Sequence, residues 1–150
     1  MMDTKTNNQV QIDVKQLFLD LQIHYKNLRS FHWNVSGPEF YTLHIKFEEF
    51  YDNINLKIDE TAERLLAIGM KPDFSIMDTL TQSKIEEKNN LSSGNDMVKH
   101  IIVANKQIIQ DVKSILQSAG EVNDTGSEDI FSPYVTQFEK ENWMLRAYIN

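Results

Sequence analysis

Four long stretches of this chain repeat their apolar residues at helical spacing, and that repetition narrows the possible folds more than anything else in it. Val14, Leu17, Leu21, Leu28, Phe31 and Val35 form the first series, with His24 filling one of its places. Phe47, Tyr51, Ile54, Ile58 and Leu65 form the second. Met97, Ile101, Ala104, Ile108, Val112, Ile115 and Ala119 form the third, and Tyr134, Phe138, Trp143 and Leu145 the last. Five Gly and three Pro in 150 residues leave few places to interrupt such segments. A helix with one apolar stripe must bury that stripe against another element. The pattern therefore predicts an all-α protein, a four-helix bundle in one domain over residues 10–150. Residues 1–9 are polar and aperiodic, and are expected to form a short disordered tail.

The breaks between series place the helices. The first is expected to end near Ser36, where Gly37-Pro38-Glu39 reads as a stop followed by a new start. The second runs over 40–68, with Gly69 ending it in the left-handed position that follows a helix. Residues 71–90 make a long connection containing a short extra helix near 75–82. Ser92-Ser93-Gly94 opens the third long helix and Gly120 closes it. The last has two readings: Ser132-Pro133 resembles a cap and first turn, whereas an earlier start leaves Pro133 as a kink. Two pieces or a bend are expected.

Several function classes are disfavoured. Without cysteine there is no disulfide framework and no thiolate metal site, which suits the cytoplasm. No apolar run approaches the ~20 residues that span a bilayer, and the first residues, MMDTKTNNQVQID, lack the apolar core of a signal peptide. A net charge of −7 opposes bulk attraction to nucleic acid and suits the gathering of cations.

Residues 31–64 hold two of the four histidines and pose a geometric problem. His32 lies five residues before the Gly37-Pro38 reversal and His44 six after it, so the two imidazoles come to about the same level. His44 with Glu48, and Asp59 with Glu63, are pairs four residues apart, each projecting from one helix face. At ~1.5 Å of rise per residue, however, His44 and Asp59 stand about 22 Å apart on one helix. A metal ion binds donors at about 2 Å, so one chain cannot close such a site. A second copy, antiparallel about a two-fold axis near Tyr51 or Asp52, would bring unlike halves together. An obligate oligomer follows from that reasoning.

The same residues carry a family resemblance. His32-Trp33-Asn34-Val35, Leu43-His44, Phe47-Glu48, Asp59 and Ala62-Glu63-Arg64 resemble the pattern of the Dps miniferritins (DNA protection during starvation). A second matching block comprises Asp124-Thr125-Gly126-Ser127-Glu128-Asp129-Ile130, Glu139-Lys140 and Trp143-Met144-Leu145-Arg146-Ala147. The resemblance implies a ferritin-like bundle that oxidises Fe(II), preferably with hydrogen peroxide, and stores ferric mineral inside a dodecameric homo-oligomer. Carried over by position, His32 and His44 of one copy and Asp59 and Glu63 of another bind iron. Glu48 helps hold a second iron, at a place where the family commonly has Asp. Trp33 is the aromatic beside the site, able to fill the core and to quench a stray oxidising equivalent. Asp124 and Asp129 match residues that line pores for Fe(II) entry; they read equally as acids at a helix N-terminus. No Glu-x-x-His occurs, so the site within the bundle of larger ferritins has no second histidine motif here.

Direct DNA binding is not expected. Only Lys5 lies in the first nine residues, and binding phosphate takes clustered cations. The competing readings are a cage without catalysis and a DNA-compacting structural protein.

Overall fold

Apart from Trp143, which is 58% exposed on the far side of its helix from Tyr134, Phe138 and Leu145, each apolar series forms one face of a long helix, and the four faces close on a common core. The computed structural model describes residues 4–149, in the order α1 (Thr4–Asn34), α2 (Phe40–Ala67), α3 (Ile76–Gln82), α4 (Gly94–Glu121) and α5 (Thr125–Ile149). α1 packs on α2 and α4, α5 packs on α4, and the short α3 lies against α1. Phe31, Phe47, Phe131 and Phe138 are the largest fully buried side chains, one from each of α1 and α2 and two from α5. The architecture is all-α, a four-helix bundle with an extra short helix in the long connection.

Several boundaries have visible physical causes. Gly37 turns the chain between α1 and α2 with φ at 99°, a region open to glycine at no steric cost. The Ser36 amide then donates to the Ser92 carbonyl at 3.2 Å, so the turn is tied to the residues opening α4. At the end of α2, the Gly69 and Met70 amides donate back to the Leu66 and Leu65 carbonyls at 3.1 and 2.8 Å, the paired closure of a helix end. Ser75 and Ser93 cap α3 and α4, their hydroxyls accepting from the Asp78 and Asp96 amides. A Cβ on Gly94 would press on Cδ1 of Leu43, which precedes His44, so a side chain there would have to displace that leucine.

Three expectations are corrected. The disordered tail over 1–9 is not what residues 4–9 form: α1 already begins at Thr4, and residues 1–3 lie outside the described residues. Once Val10 and Val14 are anchored in the core, extending a helix costs far less than starting one. Gly120 does not close α4. The helix runs on to Glu121, and Asn123 takes the left-handed position with φ at 57°; the Asn123 and Asp124 amides donate to the Gly120 and Ala119 carbonyls. Last, α5 is one helix from Thr125 with Pro133 inside it, so the earlier of the two starts holds. Asp124 supplies the cap that Ser132 was read as supplying, its carboxylate accepting from the Ser127 amide at 3.1 Å.

A polar cluster is buried within this core. His24 of α1 is buried beside Asn105 of α4 at 3.1 Å. Asn105 donates at 2.9 Å to Asn142 and to Glu141, both on α5. Burial, with the neighbouring His100 adding to it, pushes His24 down to about 3 against the pull of the Asn105 bond. The imidazole is neutral there.

Candidate metal centre

The reversal at Gly37 brings His32 and His44 face to face. Their rings stack at 3.8 Å between centroids with planes 13° apart. Each Nδ1 lies beside the other residue's backbone carbonyl: His32 Nδ1 to His44 O at 2.6 Å, and His44 Nδ1 to His32 O at 2.7 Å. A carbonyl oxygen only accepts, so both Nδ1 atoms must carry the proton. That fixes both tautomers and leaves both Nε2 lone pairs for an outside acceptor, as in histidines that bind metals. Two aromatic rings brace the pair. Phe40 stacks on His44 at 4.9 Å, and Tyr51 meets His32 edge-on at 5.4 Å. Tyr51 also donates its hydroxyl to Glu48 at 3.3 Å, which holds the carboxylate on the histidine side of α2.

The carboxylates lie further along α2. At ~100° per residue, His44, Glu48, Asp59 and Glu63 fall within about 100° of arc on one face of the helix. That face is open: Glu48, Asp59 and Glu63 are exposed. So are Ile45, Leu56 and Leu66, at 55%, 70% and 56%. The opposite face, with Phe47, Ile54, Lys57, Thr61 and Leu65, is buried. Because α2 is one uninterrupted helix, the two ends of this face stay ~22 Å apart. Among the described residues no group of three His, Asp or Glu lies close enough together to hold a metal ion. The imidazoles and Asp59 do not meet within one chain.

Comparison with known proteins gives this arrangement its context. The family model for the ferritin-like domain matches residues 15–150. The DNA protection during starvation protein 2 of Bacillus anthracis is 36% identical over 144 residues, covering 96% of this chain and 99% of its own length. The DNA protection during starvation protein of Porphyromonas gingivalis is 37% identical, covering 88% of this chain and 83% of its own length. Among solved structures, the Dps protein of Vibrio cholerae O1 superposes with a TM-score of 0.95 at 34% identity, covering 99% of this chain and 94% of that one. It is described as a ferritin-like diiron-carboxylate protein. The chain belongs to the Dps family.

Other residues of this Dps chain fall where the sequence did not lead. Trp33 does not fill the core; it is 61% exposed, with the Arg29 guanidinium 5.0 Å over its ring. A residue next to His32 points about 100° away from it round the helix, so adjacency in sequence was a poor guide. The rings against the histidines are Phe40 and Tyr51. Both stood at telling distances, Phe40 four residues before His44 and Tyr51 three after Glu48.

Asp124 is committed within the chain. Its carboxylate accepts from Arg64 Nη2 at 2.7 Å and from the Ser127 hydroxyl at 2.7 Å, while Arg64 Nε donates to that hydroxyl at 3.0 Å. Burial pushes the Asp124 carboxyl up, but the Ser127 bonds and Arg64 outweigh it and hold the group below the ordinary range. A Cβ on Gly126 would stand 2.6 Å from Arg64 Nη2. Arg64, Asp124, Gly126 and Ser127, which carry both matching blocks, thus form one clasp between the end of α2 and the start of α5. Asp129 is exposed. No helix among the described residues is long and apolar enough to cross a membrane.

Proposed function

We propose that this protein oxidises Fe(II), its substrate, at sites shared between two copies of the chain, and stores the ferric product inside a dodecameric shell. The observation that carries the reading is the reciprocal pairing of His32 and His44. Two imidazoles with both Nδ1 protons spent on carbonyls are positioned nitrogen donors awaiting an acceptor. Neutral imidazoles accept Fe(II) readily, and the hard carboxylates of Asp59 and Glu63 from the second copy favour Fe(III), which assists oxidation. Two Fe(II) ions each give up one electron; hydrogen peroxide takes both, with two protons, and becomes two waters. Pairing the electrons avoids hydroxyl radical. Glu48, steadied by Tyr51, is placed to share in holding the second ion.

The exposed α2 face supports the need for a second copy. Ile45, Leu56 and Leu66 flank the donors on the surface a two-fold partner would cover. Iron handling suits relatives described as diiron-carboxylate proteins, and protection from iron and peroxide together suits relatives named for protection during starvation. The chain's charge of −7 makes direct DNA binding the weaker reading.

Anaerobic Fe(II) loading followed by peroxide tests the proposal. Oxidation far faster than in buffer, ending in soluble ferric mineral, is expected; oxidation at the buffer rate or a ferric precipitate would overturn it.

A further inference from the structure

Away from the iron donors, two buried carboxylates come level where α1, α4 and the long connection meet: the pairs Asn27–His100 and His24–Asn105 set an antiparallel register between α1 and α4, and one turn further along it Asp20 comes opposite the stretch holding Asp111. Asp20 is fully buried on α1 and Asp111 is 4% exposed on α4. Asp20 Oδ1 accepts three bonds: from Gln16 Nε2 at 3.1 Å, the Ser83 hydroxyl at 2.8 Å and the Lys84 amide at 2.7 Å. Asp111 Oδ1 accepts from Gln107 Nε2 at 2.9 Å. The other oxygen of each, Asp20 Oδ2 and Asp111 Oδ2, is buried without any donor. Two ionised carboxylates placed this way would each leave charge uncompensated in a low-dielectric interior, a large cost.

Either a cation or a proton could relieve that cost, and the count of free oxygens decides between them. Calcium takes six to eight oxygen ligands and magnesium six, whereas only two oxygens here lack a partner. One proton needs two acceptors. We propose that Asp20 and Asp111 share a single proton, one carboxyl donating to the other, and that this bond latches the segment after α3 onto the α1–α4 face. Gln16 extends the latch, since its Nε2 also donates to the Gln82 carbonyl at the end of α3, at 3.1 Å.

The charged surroundings favour the proton's retention. Burial, then the Asp20 carboxyl itself, push Asp111 above the ordinary carboxylate range; the Gln107 bond and the Lys84 charge pull the other way without restoring it. Lys84 sits on the connection and is exposed. Gln16 on α1, Ser83 on the connection and Gln107 on α4, the other side chains bonded to the pair, are uncharged. A carboxyl raised on folding contributes stability that is full below the ordinary carboxylate range and is lost as pH rises toward the raised value. The latch therefore loosens under alkaline conditions and tightens in acid.

Infrared difference spectroscopy on the assembled protein, native against Asp111→Asn, reads the proton directly. The native protein at neutral pH should show a protonated-carboxyl C=O stretch, shifted in D2O and absent from the variant. The same band in both proteins, or none in the native one, would overturn the proposal; none in the native protein would point to a bound cation instead. Hydrogen exchange of residues 83–91 supplies the second reading. After correction for intrinsic rates, native protection should fall from neutral to alkaline pH, approaching tenfold per unit for a single proton. In Asp111→Asn, whose amide replaces the shared proton with a permanent donor, the profile should be flat. Equal pH dependence in the two proteins would overturn the latch. If Asp111→Asn fails to assemble, Asp20→Asn serves in its place with the same two outcomes.

Discussion

A site built from two chains makes a numerical prediction that a site built from one cannot. Consider His32→Ala with His44→Ala in one protein, and Asp59→Asn in another. The first lacks the nitrogen donors and keeps the distant acid; the second is the reverse. About 22 Å of continuous helix separates the two sets, so neither protein alone completes a centre, and each should oxidise Fe(II) no faster than buffer. When the two are dissociated, mixed equally and reassembled, random pairing makes about half the two-fold dimers mixed. In a mixed dimer one centre joins the intact histidines of one chain to the intact acids of the other, and the second centre lacks both histidines and Asp59. The mixture should therefore recover about one quarter of the wild-type rate per chain. Stopped-flow measurement of ferric absorbance after peroxide addition gives the rate, and native mass spectrometry confirms that the oligomers are mixed. A mixture verified as mixed but no faster than its parents would refute the shared centre. Full activity in either parent would show that its altered residues are not iron donors.

Four further outcomes are expected. Arg64→Ala should cost about 2 kcal/mol, between exposed pairs worth under ~1 and fully buried ones worth ~3–5, because Arg64 and Asp124 side chains are 19% and 7% exposed. Gly126→Ala should destabilise the native protein by displacing the guanidinium, yet stabilise the Arg64→Ala background by up to about 1 kcal/mol from helix propensity; equal effects in both backgrounds, by chemical denaturation, would count against the clasp. His24, held down to about 3 by burial, refuses a proton that the unfolded chain accepts at ordinary imidazole values. Its contribution is full above that range and falls as pH drops, by about tenfold in the unfolding constant per pH unit, so His24→Gln should flatten the loss of stability toward pH 4. Gel retardation of duplex DNA at low salt and neutral pH should show no stoichiometric shift, and a clear one would restore the DNA-compacting reading.

Much of this was legible in the sequence because helical periodicity and reversals are local. The Gly37-Pro38 break and the distances of His32 and His44 from it were enough to bring the two imidazoles level, and Gly69 marked the end of α2 correctly. What stayed hidden depended on competition between neighbouring signals. Gly120 looked like a terminus, but Asn123, able to adopt the same left-handed backbone, lay three residues on and set the end of α4. Ser132-Pro133 looked like a beginning, but Asp124 had already capped α5 and was clasped by Arg64. The tie from Arg64 to Asp124 crosses sixty residues, and spacing alone gives no hint of it. The reciprocal bonds from imidazole to carbonyl were out of reach for the same reason, since backbone carbonyls leave no mark in composition.

The rigidity of α2 has a bearing on which changes this chain can accumulate. Surface loops absorb added or lost residues readily, whereas in the proposed shared centre the interval from His44 to Asp59 would act as a ruler cut to fixed length. One extra residue there would swing the acids by about 100° and slide them by ~1.5 Å, turning them away from their counterpart's donors while leaving every core contact upstream intact. On that proposal, substitutions at exposed positions of the interval such as Asp52 and Asn55 are negotiable; its length is not.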